Sequence, residues 1–119
     1  MNEDNEQSIT VLAVSGGLWA TAPVTEQPEL TMSSWSVRQL PAGDRLIVGW
    51  CRENHEGRVS SAILEFDPQT RRGRTQSGRV YELSGRPGSN RDAEFVWQHW
   101  LRIHGESDWT DVTAEVVKP

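Results

Sequence analysis

A chain of 119 residues with a single cysteine is long enough to bury its own core, and it has too few thiols for a disulfide framework or a thiolate zinc site. Hydrophobic residues make up only 35%, six tryptophans supply large apolar area, and no run reaches the roughly 18 apolar residues of a membrane span. The net charge of −5 hides an asymmetry: Thr70 to Arg91 carries six arginines against Glu82 alone, a local +5 that leaves −10 for the remainder.

In chain order, Met1 to Gln7 is polar and acidic and reads as a disordered terminus, with residues 8–119 forming one α+β domain. Ser8 to Val14 favours a strand, stopped by Gly16-Gly17. The apolar stretch Ile9 to Ala22 ends in a small-x-small triplet, but Glu3, Asp4 and Glu6 stand where an export signal needs positive charge. Together with the lone cysteine this points to a reducing cytoplasm.

Leu30 to Leu40 alternates with Trp35 and Val37 on one face and Ser34, Ser36 and Arg38 on the other, the pattern of a half-buried strand. A turn at Pro41 to Asp44 leads into Arg45 to Arg52, the most apolar strand, and the short spacing makes the two antiparallel neighbours. After a turn at Asn54 to Gly57, Arg58 to Phe66 reads as one strand. Asp67-Pro68-Gln69-Thr70 is a hairpin turn whose return arm, Arg71 to Gln76, carries the arginines. Ser77-Gly78 fits either a tight turn or a bulge, and beyond it Tyr81 and Leu83 alternate inward.

Gly85-Arg86-Pro87-Gly88 breaks the β pattern, and Asn90 to His104 is the single strong helix, with Ser89 or Asn90 as N-cap. Ala93, Val96, Trp97, Trp100, Leu101 and His104 form its apolar stripe, and Gly105 ends it. Trp109 to Val117 resumes alternation as a closing edge strand, which leaves room for a homodimer by strand addition. The expected fold is α+β: a curved antiparallel sheet of five to seven strands with the helix packed on one face.

For function, the arginine-rich hairpin stands out. Arg71, Arg72, Arg74 and Arg79, with Arg86 and Arg91, present forked donors suited to an acidic protein surface, and Trp19 is a candidate interface anchor. The alternative is that these arginines pair with the chain's own acids. Nucleic acid is a second partner class, weakened because Tyr81 is the sole aromatic in the basic stretch. A third reading, a ligand binder or enzyme with a Trp-lined pocket, would need Cys51 with His55, or His99 with a carboxylate, in a cleft. His99 and His104 are five apart and do not share a face as metal ligands, and Asp108 and Asp111 read as a solvated pair. No catalytic, cofactor or metal motif is present, so the expected protein is non-enzymatic and cofactor-free.

Arg58-Val59-Ser60-Ser61, Phe66-Asp67, Thr75-Gln76-Ser77-Gly78-Arg79-Val80-Tyr81-Glu82-Leu83 and Gly85 to Gly88 leading into Asp92-Ala93-Glu94 together resemble a pattern of small uncharacterised bacterial and prophage-type proteins. The resemblance covers somewhat under half of the chain. It implies a small cytoplasmic accessory protein of the kind carried on mobile elements, and no catalytic residues.

Overall fold

The spine of the computed structural model, which describes residues 22–118, is β1 (Glu29–Gln39), an eleven-residue strand lined on both sides. The other elements are β2 (Arg45–Cys51), β3 (Glu56–Val59), β4 (Ile63–Asp67), β5 (Arg72–Thr75), β6 (Val80–Leu83), α1 (Arg91–Ile103), β7 (Thr110–Asp111) and α2 (Thr113–Val116). The sheet runs β3-β2-β1-β6-β5-β4, and β7 pairs with β1 beyond the end of β6. All pairings are antiparallel except β1 with β6. An α+β fold with a mostly antiparallel sheet and one long helix in the C-terminal half is what the sequence predicts. The acidic segment 1–7, the strand expected at Ser8 to Val14 and Trp19 lie outside the described residues.

A bulge in β1 organises the core. Leu30 and Met32 are even-numbered, Trp35 and Val37 odd, yet all four join one buried cluster with Ile47, Cys51, Tyr81, Leu83 and Val112. Side chains alternate with period two along a strand, so this switch of parity requires one inserted residue. The insertion lies between Ser33 and Ser36, where the register shifts and Ser34 takes a left-handed φ of 47°. Gly49 makes room opposite: a Cβ there would stand 3.0 Å from both Cα and Cβ of Trp35.

The opposite face holds a second cluster of Leu40, Leu46, Val48, Ala93, Trp97 and Leu101, under α1. Asn90 caps the helix by accepting the Ala93 amide at 2.9 Å, and Asp92 and Glu94 sit in its first turn near the positive end of the dipole. Its N-terminal turn presses on β3, where a Cβ on Gly57 would lie 2.4 Å from the backbone of Asp92 and Ala93.

Three expectations change. Ser36 and Arg38 do not face solvent, because α1 covers their face and leaves each 5% exposed. The strand expected over Arg58 to Phe66 divides at Ser60, whose hydroxyl accepts the Ile47 amide at 2.9 Å and donates to Ser61 O at 2.7 Å. The two halves pair with different strands, β3 with β2 and β4 with β5. The closing strand stops after Asp111: its carboxylate accepts the Thr113 amide at 2.9 Å and the Thr113 hydroxyl accepts the Val37 amide at 2.9 Å, which turns the chain into α2. Ser77-Gly78 is resolved as a turn, with Gly78 at φ 93° joining β5 to β6.

Candidate functional site

The loop from β6 to α1 is stitched to the bulge of β1. The Ser84 amide donates to Met32 O at 2.8 Å, the Trp35 indole donates to Ser84 O at 3.0 Å, and the Gly88 amide donates to Trp35 O at 2.9 Å. Pro87 also bridges to Trp35. A bulged strand leaves backbone groups unmatched, and here the loop satisfies them, which fixes residues 84–88 at the surface.

Three arginines converge on this segment. Arg52, just past β2, reaches within 3.4 Å of the Ser84 hydroxyl. Arg71, held at a left-handed φ of 59° by the β4–β5 turn, reaches within 3.4 Å of Gly85 O and places its guanidinium 5.6 Å from the Trp35 ring centre. Arg86 belongs to the loop itself and is exposed, as is Arg91, which opens α1. None of the four forms an ion pair with a carboxylate among the described residues.

The other arginines of the basic stretch are committed elsewhere. Arg72 binds Glu29 at 2.7 Å and lies 3.7 Å from Glu82, and the Glu29 contact holds its pKa above the usual guanidinium value. Arg74 pairs with Glu65 across the hairpin at 3.3 Å. Arg79, expected on the exposed ribbon, is 4% exposed instead. It shares the inward parity of Tyr81 and Leu83, and it donates to the backbone carbonyls of Gln27, at 3.0 Å, and Ala22. Burial lowers its pKa.

Arg58 is the second interior arginine. It donates to the Tyr81 hydroxyl at 3.0 Å and to Glu56 at 2.9 Å, and Glu56 is itself 7% exposed. Burial acts to lower the Arg58 pKa, but Tyr81, Cys51 and Glu56 outweigh it and the value is raised. A third buried arginine, Arg38, is bidentate to Glu94, donates to Ser36 Oγ at 3.1 Å, and stacks 4.5 Å from the Trp109 ring centre.

Among the described residues no hydrogen bond joins Cys51 to His55 or His99 to a carboxylate. Cys51 is buried, burial pushes its thiol up, and its sulfur lies 3.9 Å from the Glu53 carboxylate, the opposite of an activated nucleophile. His99 packs edge-on against Phe95, and His104 stacks 3.9 Å from Trp100, which in turn stacks on the fully buried Trp97. Those tryptophans are packing, not a pocket wall. Among the described residues no cluster of three or more His, Cys, Asp or Glu side chains could hold a metal, and no helix is long and apolar enough to cross a membrane.

An open cleft of about 470 Å³ adjoins the arginine group and is lined by Thr31, Trp50, Arg52, Glu53 and His55. Neither Arg52 nor this cleft is predicted from the sequence. The available signal was the i, i+2 spacing of Trp50 and Arg52, which puts both on the face opposite the buried Cys51. No protein-family model, curated protein or solved structure matches this chain.

Proposed function

We propose that the protein is a non-enzymatic binding module that docks an acidic protein surface through Arg52, Arg71, Arg86 and Arg91. The observation that carries this reading is the contrast between the surface arginines of the hairpin and those around the β6–α1 loop. Arg72 and Arg74 already hold carboxylates of their own chain, whereas the four around residues 84–91 hold none among the described residues. Arg52 and Arg71 reach adjacent residues of the loop that carries Arg86, and guanidinium groups without an ion-pair partner raise the local potential, speed encounter with an anionic partner and offer forked donors on contact. In this reading the partner-binding role moves from the hairpin tip toward the loop: Arg71, Arg86 and Arg91 are retained, Arg52 joins them, Arg72, Arg74 and Arg79 drop out, and Trp19 lies outside the described residues.

The test compares partner capture from host lysate by the wild type, an Arg86→Glu/Arg91→Glu form and an Arg74→Glu form, read by mass spectrometry and nucleic-acid staining. Loss of a protein partner with the first form but not the second supports the reading. Equal capture by all three overturns it, and loss of bound nucleic acid instead of protein replaces the partner class.

A further inference from the structure

The end of β2 places an indole and a guanidinium side by side. Cys51 turns into the core, so the pleat carries Trp50 and Arg52 together to the other face, where they line the open cleft with Thr31, Glu53 and His55. Glu53 is the single acid in this lining; it feels the Arg52 charge but forms no close ion pair with it. One of its oxygens accepts the Thr31 amide and the other the Thr31 hydroxyl, both at 2.7 Å. The cleft therefore offers an exposed cation beside a half-buried aromatic surface, with a fixed carboxylate as its third wall.

Resting on the proposed function, we propose that this cleft is the specificity pocket of the docking surface. It takes an extended peptide segment in which an acidic side chain neighbours a bulky apolar one. The acid meets Arg52 in a charge-assisted contact and the apolar group covers Trp50.

The experiment is a titration of the ¹⁵N-labelled full chain with the blocked peptide acetyl-Gly-Glu-Phe-Glu-Gly-amide, following the six indole N–H signals. The Trp50 signal is assigned by its loss in Trp50→Phe. Saturable movement of that signal is expected, with binding weaker by about tenfold or more when the peptide's Phe becomes Ser, when its Glu residues become Gln, or in Arg52→Gln, whose exposed side chain leaves folding intact. Movement of Trp50 by adenosine monophosphate but not by the peptide overturns the peptide class. Absence of peptide binding, binding that leaves Trp50 unmoved, or equal binding of the Ser peptide overturns the pocket. Those results leave the docking surface standing if Arg86→Glu/Arg91→Glu still abolishes capture, so the two failures are distinguishable.

Discussion

Arg58 and Arg86 carry the same side chain into opposite circumstances. Arg58 lies in the interior, bonded to Tyr81 and Glu56, whereas Arg86 stands on the loop with no carboxylate partner among the described residues. The interior arginines have exchanged water for hydrogen bonds and cannot leave them without large cost. Those around the loop retain their hydration and their capacity to bind something else. What separates the two sets is which acceptors the fold brings within reach, because the residue type is constant.

The largest effect should come from breaking the interior side of this contrast. Arg58→Met removes the cation but leaves the Glu56 carboxylate and Tyr81 hydroxyl buried, and a buried pair broken on one side costs about 3–5 kcal/mol. Urea denaturation is the measurement. A loss under 1 kcal/mol would mean that water reaches Glu56 and that the interior network is not closed. Arg79→Met should follow at about 1.5–3 kcal/mol, since it forfeits charged hydrogen bonds to main-chain carbonyls.

The sequence made the sheet and helix legible because their signals are local: alternation in β1 and β2, the turn chemistry of Asp67-Pro68, the cap at Asn90 and the stripe ending at Gly105. Arg79 was legible as well, since it falls two residues before Tyr81 on a strand whose odd positions turn inward, but the count of arginines outweighed the parity. Arg38 required combining two local readings. A helix with an apolar stripe must lie on one sheet face, and Trp35 and Val37 already fill the other, so a central strand has no solvent side. The bulge at Ser33 to Ser36 was illegible because nothing local announces an inserted residue. With it went the place of the loop at residues 84–88 and the convergence of Arg52, Arg71 and Arg86, which depend on pairing between segments some fifty residues apart.

A smaller effect sharpens the contrast at the cleft. Partial desolvation acts to raise the Glu53 pKa, yet the two bonds from Thr31 outweigh it and hold the carboxyl below its usual range. A carboxylate depressed in the folded state adds stability above its unfolded value, near pH 4.3, and that contribution is lost as pH falls through the folded value. Wild type should therefore exceed Glu53→Gln by a constant margin from neutrality to about pH 5, with the margin closing below about pH 4. Thermal unfolding across that range checks it, and a margin independent of pH would mean that the Thr31 bonds do not hold the Glu53 carboxyl below its unfolded value.

The smallest effect on stability belongs to the loop arginines, and its sign is informative. Arg52 and Arg71 reach the segment that carries Arg86, and none of the three holds an ion pair among the described residues, so mutual repulsion is expected in the free protein. Arg86→Gln should leave stability within about 0.5 kcal/mol of wild type. At low salt the change should be a slight gain in thermal midpoint, vanishing near 1 M salt, where the screening length is about 3 Å. A structural arginine gives a loss on neutralisation, and a merely solvated one gives no salt-dependent difference. A gain that salt abolishes is what is expected of charges retained at some cost to the fold because a partner supplies their counter-charge.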